Sequence, residues 1–170
     1  MNDSANAILD RGEAERMLIN HSHESMYGMP DMDVPIYVHE RDSVEVSRSM
    51  HLAGVFTQRQ MIDNDIEVIP TPGHTPGTTS YLWNNGSRRF LFTGDFMWIE
   101  HGEWKAVVLD ESLRGAYLES LAIVRDLEFD VLVPWGTTED GPSFGLARTP
   151  TEIRERVDRI IERVQAGGNR

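Results

Sequence analysis

The chain has 170 residues, 39% of them hydrophobic and 26% charged, which suits one globular domain burying roughly 70% of its unfolded surface and excludes a disordered chain. Its 28 acidic against 16 basic residues leave a formal net charge of -12, so nucleic acid and anionic membrane surfaces are excluded as expected partners. With no cysteine, disulfides, thiolate ligands and cysteine nucleophiles are excluded too, and any metal has to be held by His, Asp, Glu or water.

Met1-Asn2-Asp3-Ser4 lacks the basic and apolar regions of a signal peptide, and no run approaches the roughly 18 to 20 apolar residues of a membrane span. A cytoplasmic single domain over residues 1–170 is expected. Gly12-Glu13-Ala14-Glu15-Arg16 has helical propensity and leads into Met17-Leu18-Ile19, a short apolar run suited to a buried strand. That strand delivers Asn20-His21-Ser22-His23-Glu24-Ser25-Met26. Read as extended, the segment points His21 and His23 the same way and Glu24 to the opposite face, so the two imidazoles can reach one ion together.

Residues 27–31 are dense in turn formers, and residues 34–38 read as a strand with Pro35 near its start. Asp42 followed by Glu45 resembles a helix-start signal for a polar surface helix reaching His51. Residues 66–69 alternate as a half-buried strand does, and Pro70 to Gly77 then form a rigid loop carrying His74. Residues 80–83, 84–87 and 89–92 read as strand, Asn-Gly turn and strand, a hairpin that ends at Thr93-Gly94-Asp95. Residues 98–104 fit a small hairpin or an exposed loop.

From Ser112 a helical pattern places Leu113, Tyr117, Leu118, Leu121, Val124 and Leu127 on one face, and residues 129–133 give another strand. Residues 134–142 are loop by composition. In the last helix Thr149 and Glu152 make a capping box, Pro150 takes the first helical position, and Ile153, Val157, Ile160, Ile161 and Val164 form one stripe. Gly167-Gly168 ends it. The order of elements predicts a mixed α/β sandwich.

Pro70-Thr71-Pro72-Gly73-His74-Thr75-Pro76-Gly77, the following hairpin and Leu91-Phe92-Thr93-Gly94-Asp95 together resemble the metallo-beta-lactamase fold superfamily, most of all its glyoxalase II-like (hydroxyacylglutathione hydrolase) branch. The resemblance covers nearly the whole chain and implies an α/β (α+β) fold, the αβ/βα sandwich of that superfamily. In the family's first motif, Thr-His-x-His-x-Asp-His, the first two histidines join a later histidine around one metal. Those positions match His21, His23 and His74, and the family's later aspartate matches Asp95. The resemblance therefore implies a metal site of His21, His23, His74 and Asp95, with Asp95 also catalytic, orienting water or accepting its proton.

The second ion's ligands do not carry over. The family's Asp and following His fall at Ser25 and Met26, and the final motif's histidine falls at Gly136 in Pro134-Trp135-Gly136-Thr137. One ion is expected, zinc by ligand type, with iron or manganese also accepting nitrogen and oxygen donors. The family's strands before its first motif have few counterparts in residues 1–19, so part of the N-terminal sheet is expected to be lacking. Either the chain is a shortened variant, or residues before Met1 are omitted, or a partner chain covers the exposed sheet edge, and a homo-oligomer is the favoured reading.

The expected function is hydrolysis of a small-molecule thioester, ester or lactone. The alternative is a degenerate member of the same fold, acting as a binding or oligomerisation module with structural histidines. His39, His51 and His101 lack a matching context and read as surface or core residues. Trp135 either narrows a substrate pocket or fills an edge, and Phe96, Met97, Trp98 and Trp104 either line an apolar acyl pocket or pack.

Overall fold

Alternation along the strands sorts apolar side chains onto two faces, and here each face meets a different layer. The structure, a computed structural model, describes residues 5–138 and 141–170. Residues 1–4 of the N-terminal reading and 139–140 of the expected loop lie outside the described residues. The elements run α1 (Ala5–Leu9), β1 (Met17–Leu18), β2 (Ile36–His39), α2 (Glu40–Val46), β3 (Leu52–Phe56), β4 (Gln60–Ile62), β5 (Ile66–Pro70) and β6 (Thr79–Asn84). They continue with β7 (Arg89–Gly94), β8 (Met97–Glu100), β9 (Glu103–Ala106), α3 (Arg114–Arg125), β10 (Val131–Pro134), β11 (Gly145–Leu146) and α4 (Pro150–Gln165).

Strands β1, β2 and β3 form a parallel sheet. A six-stranded sheet has the order β11-β10-β7-β6-β5-β4, in which β10 and β7 are parallel and the other neighbours antiparallel. Strands β8 and β9 make a separate hairpin.

In the larger sheet Ile69, Leu82, Leu91 and Leu132 point to one face and bury with Leu121 and Val124 of α3 and with Ile153, Val157, Ile160 and Val164 of α4. Their chain neighbours Val68, Tyr81 and Phe92 point the other way and pack with Leu18, Tyr37 and Phe56 of the smaller sheet. That sheet sends Ile36 and Val38, with the adjacent Ile19, outward onto Val46 of α2 and Met50. The layers are therefore helix, small sheet, large sheet and helix pair, the αβ/βα sandwich expected from the sequence. A cleft of about 310 Å³ lined by Leu18, Asn20, Ile66, Tyr81, Trp83 and Phe92 opens where the three-stranded sheet leaves the larger one uncovered.

The Asn-Gly hairpin forms as expected, with Gly86 at φ 86° and the Asn85 side chain accepting from the Ser87 and Arg88 amides at 3.0 and 2.8 Å. Residues 98–104 fold as the β8–β9 hairpin, resolving that ambiguity. Thr149 caps α4, accepting from the Glu152 amide at 3.1 Å.

Three readings change. Residues 12–16 form no helix; Gly12 sits at φ 144° and Arg16 is drawn into an ion pair with Asp63, while the first helix lies earlier at Ala5–Leu9. The helix read from Asp42 towards His51 starts earlier, where His39 caps it by accepting from the Arg41 amide at 3.2 Å, and it stops at Val46. Strands β3 and β4 were not expected; Leu52–Phe56 gains its order from parallel pairing with β2, a long-range contact that a local pattern does not carry.

Ile160 is fully buried in the α4 stripe. Ile160→Ala is expected to lower stability by about 2–5 kcal/mol in urea denaturation, with the metal uptake described below unchanged.

Candidate metal centre

The candidate ligands stand where strands of the two sheets end side by side. His21 follows the β1 segment in extended conformation, at φ -159° and ψ 164°, and caps a 3-10 turn over Ser22–Tyr27. His23 lies inside that turn. The extended reading of this stretch therefore fails beyond Ser22, yet the two rings still converge, with centroids 5.2 Å apart. Glu24 also changes place: instead of pointing away it is buried, and its Oε1 lies 3.1 Å from His21 Nδ1 and accepts from the Asn20 amide at 3.3 Å. The contact with Nδ1 is an ion-pair approach, not an aligned hydrogen bond.

Asn20 ties the two sheets at this point. Its Nδ2 donates to the Thr79 and Phe92 carbonyls at 2.7 and 3.2 Å, and its carbonyl accepts from the Thr79 amide at 2.8 Å. Gly94, at φ 54°, makes room for it: a Cβ there would lie 2.6 Å from Asn20 Cβ and 3.1 Å from His21 Nδ1. The next residue is Asp95. His74 sits on the loop after β5, where its Nδ1 donates to the Val107 carbonyl at 2.9 Å. Val107 is itself fixed, its amide donating at 2.9 Å to the Tyr117 hydroxyl from α3. A ring that donates through Nδ1 turns the Nε2 lone pair towards the site.

The three histidines bring one nitrogen each to within 4.8 Å of one another. His23 Nδ1 is 3.1 Å from His74 Nε2, and Asp95 Oδ2 is 3.4 Å from His21 Nε2 and 3.8 Å from His74 Nε2. Ligands about 2.0–2.1 Å from a tetrahedral ion stand about 3.4 Å apart. The donor set thus fits one ion held by His21, His23 and His74, with Asp95 beside it. Among the described residues no other group of three such side chains comes together.

The positions that would serve a second ion offer it no ligand. Ser25 Oγ is committed to the Ser22 carbonyl at 2.7 Å, the Met26 side chain is 78% exposed, and Gly136 contributes only main chain, its carbonyl accepting from the Ile99 amide. A depression of about 470 Å³, lined by His23, Ser25, Met26, Arg48 and Ser49 among others, gives access on that side. Trp135 is half exposed and stacks on Tyr27 at 5.7 Å, while Phe96, Met97 and Trp104 are buried in the main core, which favours their packing role.

Burial opposes a charge on His21, but the neighbouring Asp95 and Glu24 carboxylates outweigh it and lift its pKa to about 9. Burial likewise lowers the pKa of His74, and there the Val107 carbonyl only partly offsets it. His21, as the donor to Asp95, holds that carboxyl below its usual range against the opposing effect of burial. Sequence reasoning missed Glu24 as a partner of His21, Tyr117 and Val107 as supports of His74, and the buried Asp42. A capping pattern disguised Asp42, and no local pattern marks a main-chain carbonyl such as that of Val107.

A family model described as the metallo-beta-lactamase superfamily matches residues 19–136. Solved structures share the fold at low identity. MIM-2 metallo-beta-lactamase has a TM-score of 0.53 at 18% identity, over 78% of this chain and 59% of that one. BJP-1, a subclass B3 metallo-beta-lactamase of Bradyrhizobium japonicum, has a TM-score of 0.56 at 16% identity, over 90% and 72%. A metallo-beta-lactamase from Staphylococcus aureus subsp. aureus COL has a TM-score of 0.59 at 17% identity, over 94% and 56%. The chain thus spans well under two thirds of the length of two of these three. No curated protein sequence matches.

A metal needs the His21 lone pair, which a pKa of about 9 leaves protonated at pH 7. Zinc affinity is therefore expected to rise about tenfold per pH unit between 7 and 9 and then level off, with His21 releasing its proton on uptake. Competition titrations across that range check it, and a flat profile contradicts it.

Proposed function

The chain belongs to the metallo-beta-lactamase superfamily, and from that membership we propose that it is a hydrolase of a small thioester, ester or lactone using one zinc ion held by His21, His23 and His74. The superfamily consists generally of metal-dependent hydrolases. The observation that carries the reading is the convergence of the three imidazole nitrogens within 4.8 Å, with the Asp95 carboxylate 3.4 Å from one of them. The resemblance of the His74 and Asp95 motifs to the glyoxalase II-like branch is what brings thioesters into this class beside esters and lactones. The lactamase names of the structural neighbours describe those proteins, and at 12–18% identity they support the fold alone.

When bound, a divalent ion supplies Lewis acidity that polarises a carbonyl and makes water a usable nucleophile near neutral pH. The protein's own groups do the rest. Asp95 remains ionised because His21 donates to it, and it is partly exposed on the solvent side, so it can orient an attacking water and accept its proton. Ser25 stands where the family has an aspartate, and its hydroxyl already donates to Ser22, so Asp95 is the carboxylate left to act as base. His74 and His21 are held in fixed orientations by Val107 and by the two carboxylates, which keeps both rings aimed at the same point.

The second reading, a binding module with structural histidines, is separated by activity. The zinc-loaded protein is to be assayed against short-chain and glutathione thioesters, aryl esters, lactones and a beta-lactam. Hydrolysis that a chelator abolishes, zinc restores and His74→Ala reduces at least 100-fold is the expected result. Asp95→Asn is expected to keep its zinc and lose about 100-fold in kcat. A zinc-loaded protein inert towards the whole panel leaves the binding module as the better account.

A further inference from the structure

The most tightly bonded polar side chain near the site is one that supplies no ligand. Asp42 belongs to α2, is 3% exposed, and turns its carboxylate inward instead of capping its own helix. Its Oδ2 accepts from the Ser22 amide at 2.8 Å and from the Thr75 hydroxyl at 2.5 Å, and its Oδ1 accepts from the Gly77 amide at 2.8 Å. Ser22 lies between His21 and His23, and Thr75 follows His74. One carboxylate therefore bonds to both ligand-bearing segments, whose His23 and His74 are 51 residues apart in sequence.

The fit around it is close. A Cβ at Gly77 would lie 2.6 Å from Asp42 Cγ, so only glycine lets the His74 loop approach this far. Thr75 is braced in turn by Thr78, whose Oγ1 accepts from the Thr75 amide at 2.7 Å. A carboxylate is suited to the position because both oxygens only accept, and three donors converge on them. An asparagine of the same shape has one accepting oxygen. In either orientation its NH2 faces an amide, of Gly77 or of Ser22, and leaves that group unpaired.

We infer that Asp42 is a positioning residue for the metal centre, holding the first-motif turn and the His74 loop together so that their imidazoles stand at ligand spacing before an ion arrives. This rests on the reading of His21, His23 and His74 as a metal site. Without Asp42 the two segments would have to be ordered by the ion itself, and binding weakens by the free energy of that ordering. The effect is local: the main core between the larger sheet and helices α3 and α4 does not include Asp42.

The test is zinc affinity of the metal-stripped full chain, measured by competition with a chromophoric chelator at pH 7.5, together with thermal denaturation of each variant. Asp42→Asn is expected to bind zinc about 10- to 100-fold more weakly than the wild type. Thr75→Val, which keeps the carboxylate and removes one donor, is expected to lose several-fold and decides the matter if Asp42→Asn fails to fold. Ile160→Ala, destabilised in the distant core, is expected to keep wild-type affinity. Wild-type affinity in Asp42→Asn, or in Thr75→Val where that variant decides, overturns the inference while the metal reading stands. So does an equal loss in Ile160→Ala. A wild-type chain that takes up no zinc overturns the metal reading and this inference together.

Discussion

Three imidazoles gathered at centroid separations of 4.8 to 5.2 Å, two of them buried, are an awkward thing for a protein to keep. Burial disfavours a charge on His21 and on His74, and a charge on His21 disfavours one on His74. The surrounding structure answers this conflict ring by ring. His21 is flanked by Glu24 at Nδ1 and Asp95 at Nε2, and His74 leans on a main-chain carbonyl. The neighbouring carboxylates lift the pKa of His21, while burial lowers that of His74. A divalent ion drawing on all three lone pairs relieves the same crowding, so the polar surroundings and the proposed ligand point to one explanation.

The sandwich supplies the frame for that gathering. His21 follows the segment of a strand in the small sheet, and His74 and Asp95 follow strands of the large one. Asn20, bonded to Thr79 and Phe92, fastens the sheets where these ends meet. The helix layer contributes through Tyr117, whose hydroxyl receives the Val107 amide and donates to the Phe96 carbonyl, so that the chain on either side of the β8–β9 hairpin is held to α3. Gly73 permits this closeness, since a Cβ there would lie 2.6 Å from the Tyr117 ring. The site is thus built from backbone segments that the apolar core has already placed.

Much of this was legible in the sequence where the signal is local. The stripe from Ile153 to Val164 and the Asn85-Gly86 turn form as read, and residues 66–69 form a strand, though Val68 and Ile69 bury on opposite faces of the sheet instead of leaving it half-buried. The three histidines that converge were marked by motif spacing, but not by the strand alternation that would pair His21 with His23. A 3-10 turn over Ser22–Tyr27 brings the two rings together instead. Glu24 and Asp42 were misplaced for the same reason: which way a polar side chain turns in a loop or first helical turn depends on donors far along the chain. For Asp42 those donors are Ser22, Thr75 and Gly77. Strand β3 was invisible because its order comes from β2, not from its own pattern.

The account turns on a single ion in place of the pair for which Ser25, Met26 and Gly136 leave no ligands. Elemental analysis of the full chain after saturation with zinc and removal of excess tests this most directly. One equivalent of zinc per chain, falling to none in His21→Ala or His74→Ala, is the result predicted. No retained zinc, or two equivalents per chain, would contradict it.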